Sequence, residues 1–409
     1  MRPVSRPGKR FVLRRVPGAR DYLPAEQAVR QEVLDTLRQW FADHGYQSIE
    51  LPVLEPTELY VRKAGGPLLT KLYSFVDPGG VRVSLRPEFT ASVVRCYLET
   101  VGRAGEPACW QYAGPVFRFD PTAELRSWTQ AGVEAIGQAG VEVDARLLAL
   151  ATGGLERLGV REFELILGHV GVFTEAVGGF GLSERTAATI VAGMDLLGRP
   201  GGVETVRRKL AELGLTATEP AAAELKRALQ TLGDEGARVV VRGLLESINV
   251  DLLGARHPDE IVGRLLRKLG GWDDPATIER ALAFATRLAA LAGEAAPTLA
   301  RARALCAAEG VHAPALEELA ALIAALAREG VTRLTVDFGL SRELGYYSGF
   351  VFDVRDPRDG AVLCGGGRYD GLVRALGGPD VPAAGFAYNV NVLTERGVAR
   401  SLAEREAAR

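Results

Sequence analysis

Cysteine and histidine are scarce in this chain, and their scarcity removes several chemistries at the outset. Four cysteines, Cys96, Cys109, Cys306 and Cys364, stand far apart in 409 residues, and the four histidines, His44, His169, His257 and His312, are too few and too scattered to complete a metal cluster with them. No metal site and no cofactor are expected, and reduced thiols in a cytoplasmic protein are the natural reading. Long apolar runs are also missing: no stretch reaches the roughly 18 residues a membrane span needs. The basic opening (Arg2, Arg6, Lys9, Arg10, Arg14, Arg15) lacks the apolar centre of a secretory signal. Residues 1–15 are therefore expected as a loose, solvated arm. A formal net charge of -2 supplies no overall positive field to draw the chain to nucleic acid.

What is present is an ordinary globular composition, 47% hydrophobic and 24% charged, long enough for two domains. After Pro24, apolar residues at Val29, Val33, Leu37, Trp40 and Phe41 recur at helical spacing until Gly45. Residues 72–76 and 81–85 flank Asp77-Pro78-Gly79-Gly80 and predict a β-hairpin. Further strands are predicted over 108–113, 116–120, 128–136 and 163–167, with a helix over 143–158. Residues 172–330 turn rich in Ala, Leu, Arg and Glu and predict a helical inserted domain between two core segments, 16–171 and 331–395. Strand character returns at 334–338, 350–353 and 361–363, ahead of Gly365-Gly366-Gly367; the run from Gly365 to Gly371 is a weak signal by pattern alone, open to reading as a bulged turn and lacking the spacing of a dinucleotide fingerprint. Residues 396–409 read as a short polar tail with no room for a further domain.

One strand carries the chemistry. Alternation places Trp128, Gln130, Gly132 and Glu134 on one face and Thr129, Ala131 and Val133 on the other. On the preceding strand Val116, Arg118 and Asp120 share a face, and Glu88 stands where a strand gives way to a helix. Carboxylates suit an ammonium or an imidazole N–H, and a fixed guanidinium suits a carboxylate or phosphate, so the set fits a free amino acid. Taken singly, Arg118 with Asp120 reads equally as a plain ion pair, and Glu88 as an acid favouring a helix start.

Read in order, these segments resemble histidyl-tRNA synthetases and their paralogues. Val16-Pro17-Gly18-Ala19-Arg20-Asp21-Tyr22-Leu23-Pro24 with the following helix and Pro52 is similar to the family's opening and motif 1. Leu85-Arg86-Pro87-Glu88-Phe89-Thr90-Ala91 matches its amino-acid loop, and the stretch from Gly114 through Glu134 its motif 2. Ser341-Arg342-Glu343-Leu344-Gly345-Tyr346-Tyr347-Ser348-Gly349 and Gly366-Gly367-Arg368-Tyr369-Asp370-Gly371-Leu372 resemble its two histidine signatures. The resemblance implies an α+β fold of the class II synthetase kind, an antiparallel sheet flanked by helices. It also implies histidine as ligand: Glu88, Thr90 and Gln130 at the amino group, Glu134 and Tyr347 at the imidazole with Tyr346 beside them, and Arg118 and Arg342 facing carboxylate or phosphate.

Three departures redirect the function. Motif 3 ends in the family with a Glu-Arg pair whose arginine grips the γ-phosphate of ATP, whereas Asn391 and Val392 stand there in this chain; an uncharged side chain cannot neutralise developing phosphate charge. In motif 2, Asp120 replaces a glutamate and Trp128-Thr129 stand where Phe-His is expected. The anticodon-reading domain is not expected either. The pattern resembles the regulatory subunits of short-form ATP phosphoribosyltransferase, to which Leu167-Gly168-His169-Val170-Gly171-Val172-Phe173 is also similar, although His169 reads equally as a core histidine. This resemblance implies a non-catalytic, histidine-sensing protein. It would form a homodimer core within a hetero-oligomer containing the catalytic phosphoribosyltransferase, with no tRNA and no membrane partner.

Overall fold

The computed structural model describes residues 14–62, 66–101, 105–216, 273–342 and 344–396, with short pieces at 231–232, 235–236, 238–240 and 242–243. The arm 1–13, most of 217–272 and the tail after 396 lie outside the described residues, so the expectations placed there are not taken further. No helix among the described residues is long and apolar enough to cross a membrane.

Among the described residues, twelve strands build two sheets. They are β1 (Gln47–Ser48), β2 (Leu54–Pro56), β3 (Ser74–Val76), β4 (Arg82–Leu85), β5 (Ala108–Phe117), β6 (Ser127–Ile136), β7 (Glu164–His169), β8 (Ala292–Glu294), β9 (Leu334–Asp337), β10 (Phe350–Arg355), β11 (Val362–Arg368) and β12 (Ala383–Asn389). The large sheet runs β1-β5-β6-β12-β11-β10-β7-β9-β8, and a small one runs β2-β4-β3. Six consecutive strands from β5 to β7 are antiparallel, while β1 on β5 and β7 on β9 are parallel. The predicted hairpin is present: Val76 pairs with Arg82, and Asp77 closes the turn by accepting from the Gly80 N–H.

The sheet separates two cores because alternate residues face opposite sides. Ala131 and Val133 of β6, with Phe386 and Tyr388 of β12, pack on Val33, Leu37 and Phe41 of the Pro24–Asp43 helix and on Leu148, Ala151 and Leu155 of the Val141–Arg157 helix. On the opposite face, Tyr112, Val116 and Ile136 pack with Phe89, Val93, Tyr346 and Tyr369. The candidate ligand-binding side chains occupy this second face.

Three sequence expectations change in the structure. Strands predicted over 108–113 and 116–120 are one strand, β5, paired to β6 without interruption from Ala108 to Phe117. The Gly114-Pro115 break marks a close approach instead: a Cβ on Gly114 would lie 2.5 Å from the Arg86 guanidinium, and the Pro115 carbonyl accepts from Arg86 Nε at 2.8 Å. Gly365, Gly366 and Gly367 are not a turn but the middle of β11, where an added Cβ would meet Arg342 at 1.8 Å, the Gly385 carbonyl at 2.0 Å and the Phe350 carbonyl at 2.4 Å. The third change concerns the stretch expected as a helical insertion. Its strand β8 joins the edge of the large sheet, and its helices Pro275–Ala289, Ala295–Glu309 and Ala315–Arg328 bury Leu282, Leu299 and Leu322 in the same core as Leu148 and Val336. An amphipathic stripe tells that a helix is covered, not which element covers it.

Candidate functional site

Glu134 stands near the end of β6 and is 1% exposed. Three hydroxyls converge on it: Thr90 donates to Oε1 at 2.7 Å, Tyr112 to Oε1 at 3.1 Å and Tyr369 to Oε2 at 2.5 Å. Burial pushes the Glu134 carboxyl from its ordinary 4.5 up to about 7, against the opposing pull of these donors. Two glycines make the room. A Cβ on Gly385 would fall 1.6 Å from Glu134 Oε2, and one on Gly132 would fall 2.7 Å from the Tyr112 hydroxyl.

A second acid, Glu88, is 3% exposed and shares this enclosure. Its Oε1 accepts from the Ala91 N–H at 3.0 Å, at the start of the Thr90–Thr100 helix, and its Oε2 accepts from the Tyr346 hydroxyl at 3.4 Å. Glu88 thus sits as an acid at a helix start while its other oxygen faces the Tyr346 hydroxyl. Burial raises its carboxyl above the ordinary range. Tyr346 packs between Tyr347 at 5.0 Å and Tyr369 at 5.7 Å between ring centroids. Burial pushes the Tyr347 hydroxyl up to about 12 despite the nearby Arg342 charge, so every phenol in the group stays protonated near neutral pH.

Beside this enclosure lies an open cleft of about 280 Å³ lined by Arg118, Trp128, Gln130, Arg342, Asp353 and Asn389, among others. Arg118 stacks over the Trp128 ring at 5.1 Å and donates through Nε to the Pro87 carbonyl at 3.0 Å. Arg342 is paired with Asp353 and donates to the Phe352 carbonyl at 3.1 Å, but its buried Nε has no hydrogen-bond partner among the described residues. A buried guanidinium N–H left unsatisfied is costly and favours an acceptor brought by a ligand.

The eight residues singled out from the sequence thus fall into two adjoining groups. Glu88, Thr90, Glu134, Tyr346 and Tyr347 form the closed acid and phenol cluster, while Arg118, Gln130 and Arg342 line the cleft. Asp120 does not join them. It lies in the turn after β5, where its Oδ1 accepts from the Thr122 N–H at 2.9 Å and hydroxyl at 2.6 Å, which keeps its carboxyl below the ordinary range. Sequence reasoning missed Tyr112 and Tyr369 as members of the cluster. The signal for Tyr112 is its register: it sits directly across the ladder from Gly132, a large ring over a residue with no side chain.

The motif 3 positions face elsewhere. Asn391 Oδ1 accepts from Arg30 Nη1 at 3.1 Å and from the Thr129 N–H at 3.0 Å, and its Nδ2 donates to the Tyr22 hydroxyl at 2.6 Å. Arg30 also donates to Thr129 Oγ1 at 2.6 Å and stacks 3.7 Å over the Tyr22 ring. Val392 packs half-buried against the first core. His169 is buried at the end of β7 with Nε2 3.9 Å from Glu318 and Nδ1 unpartnered among the described residues, and burial lowers its pKa to about 4.

The model of one protein family, described as Histidyl-tRNA synthetase, matches residues 18–249 and 239–393. Among curated proteins, the chain is 28% identical over 388 residues to a histidine–tRNA ligase of Pyrococcus horikoshii, covering 93% of this chain and 74% of that one. It is 29% identical over 387 residues to the histidine–tRNA ligase of Thermococcus kodakarensis, covering 93% and 73%. Among solved structures it superposes on an ATP phosphoribosyltransferase regulatory subunit/histidyl-tRNA synthetase from Bacillus halodurans with TM-score 0.64 at 24% identity, over 95% of this chain and 84% of the other. A histidine–tRNA ligase subunit from Alicyclobacillus acidocaldarius superposes with TM-score 0.59 at 25% identity, over 97% and 100%. With its fold, its motif order and a family model spanning most of its length in agreement, this chain belongs to the histidyl-tRNA synthetase family.

Proposed function

We propose that this chain is a non-catalytic, histidine-binding regulatory subunit of a short-form ATP phosphoribosyltransferase. One observation carries the reading: the two motif 3 positions hold Asn391, tied to Arg30, Thr129 and Tyr22, and Val392, packed against the core, while the adjoining acid and phenol cluster keeps its polar lining. Valine offers no charge to a polyphosphate. In this reading Glu88, Thr90 and Gln130 hold the ammonium, Glu134 and Tyr347 read the imidazole with Tyr346 packed beside them, and Arg118 and Arg342 take the carboxylate. An imidazole presents N–H and N at separate positions, and a buried acid beside a phenol discriminates it from apolar side chains. The name of the Bacillus halodurans neighbour, which includes a regulatory subunit, agrees with this assignment.

Histidine regulates in this scheme by binding the inhibited assembly more tightly than the active one, with coupling of about 1–3 kcal/mol. The assembly is a homodimer of this chain joined to the catalytic subunit, in the cytoplasm. Purified chain added to a short-form phosphoribosyltransferase should change its turnover and make that turnover histidine-sensitive; no change in the mixture would overturn the proposal. The names of the curated relatives favour a second reading, a histidine–tRNA ligase with an altered motif 3. Histidine-dependent exchange between ATP and pyrophosphate by the purified chain would establish that reading and exclude the first.

A further inference from the structure

Glu134 is held by three hydroxyls, and an ionised carboxylate offers about four acceptor positions. Thr90 and Tyr112 occupy Oε1, so the remaining position lies on Oε2, beside Tyr369. A ligand N–H reaching this acid therefore meets the oxygen whose orientation Tyr369 sets. What sets Tyr369 lies on the other side of the sheet.

Tyr369 directly follows β11, between Arg368 and Asp370. Arg368 is 8% exposed and points toward the first turn of the Val141–Arg157 helix. There its Nε donates to both carboxylate oxygens of Asp144 at 3.1 Å, and Nη2 is paired with the same acid. Nη1 donates to Asp370 Oδ1 at 2.8 Å, and that oxygen also accepts from the Ala383 N–H at 2.9 Å. The Arg368 carbonyl accepts from the Ser348 N–H at 2.9 Å, immediately after Tyr346 and Tyr347. One arginine thus ties together the helix and the residue after Tyr369 through its guanidinium and, through its main-chain carbonyl, the segment carrying the other two tyrosines.

We propose that Asp144 and Arg368 are positioning residues that fix Tyr369 against Glu134 and so set the affinity of the pocket for the imidazole side chain. Neither is among the residues that touch the Glu134 carboxylate; they act through Tyr369. The inference rests on the reading of the pocket as a histidine site.

The test is a double-mutant cycle on the full chain, with L-histidine binding followed by calorimetry and folding followed by thermal melting. Asp144→Asn alone leaves Arg368 buried without its main partner and endangers folding, so the paired change Asp144→Asn with Arg368→Gln, which keeps a neutral hydrogen-bonding pair, is the working variant. The paired variant is expected to weaken histidine about ten-fold and Tyr369→Phe about as much, with the combination no weaker than Tyr369→Phe alone. A combined loss near the product of the two, about 100-fold, or an unchanged affinity in the paired variant, overturns the positioning role. A wild-type chain that binds no histidine overturns the histidine reading itself, and the positioning role with it, and is told apart because every variant is then silent.

Discussion

In the closed cluster, hydroxyls from β5, from the residue after β11 and from the start of the Thr90–Thr100 helix converge on one buried carboxylate; in the cleft beside it, two guanidiniums line the wall and the buried Nε of Arg342 has no partner among the described residues. In the cluster, Glu134 accepts from three side-chain hydroxyls of the chain itself. In the cleft, Arg118 and Arg342 line the wall, whereas Asn391 is tied to Arg30, Thr129 and Tyr22 and Val392 packs against the core. The contrast teaches that one strand can serve both regions, since β6 sends Glu134 into the closed cluster and Trp128 and Gln130 into the cleft.

The largest effect is expected where the two regions meet. Glu134→Ala, or Gly385→Ala, which drives a methyl into Glu134 Oε2, should lower histidine affinity by about 1,000-fold or more, because buried donors lose their acceptor; a loss under ten-fold by calorimetry would mean that the ligand does not use this acid. Next, Asn391→Leu removes the shared partner of Arg30, the Thr129 N–H and the Tyr22 hydroxyl. It should destabilise the fold by about 2–3 kcal/mol in urea titration while leaving histidine affinity within a few fold.

The pH dependence follows in size. The Glu134 carboxyl sits at about 7 in the folded chain against an ordinary 4.5. Folding therefore favours its protonated form: the contribution of this group to stability is fully present below about pH 4.5 and is lost as pH rises through about 7. Glu134→Gln should remove that part of the slope, seen by comparing denaturant midpoints at pH 5 and pH 8. The smallest effect belongs to Asp120→Ala, which should leave histidine affinity unchanged; a clear loss would return Asp120 to the site and blur the boundary between cluster and surface turn.

The elements that were legible in the sequence are those whose partners are close in the chain. The Pro24–Asp43 helix shows its stripe at Val29, Val33 and Leu37, and the hairpin shows its Asp77-Pro78-Gly79-Gly80 turn, because local spacing and turn chemistry fix both. The glycine run failed as a turn prediction because its reason is distant: Arg342 from the loop before β10, Phe350 from β10 and Phe386 from β12 approach it. The edge strand β8 has only three residues and no pattern of its own, and it becomes a strand because β9 presents a free edge to it. In the site, Glu134 and Arg118 were visible as charges in alternating strands, whereas nothing in the spacing around Tyr112 marked it.

By itself the sequence determined which groups are available: two acids, two arginines, a tyrosine pair and an uncharged end to motif 3, each set by residue identity and short-range alternation. Only the tertiary structure decided which of them meet. Convergence of Thr90, Tyr112 and Tyr369 on Glu134 depends on the register of three strands and one helix start, and the diversion of Asp120 depends on a turn that captures its carboxylate first. Contacts such as Tyr369 to Glu134, separated by 235 residues along the chain, carry no local signature, because their geometry exists only once the sheet has closed.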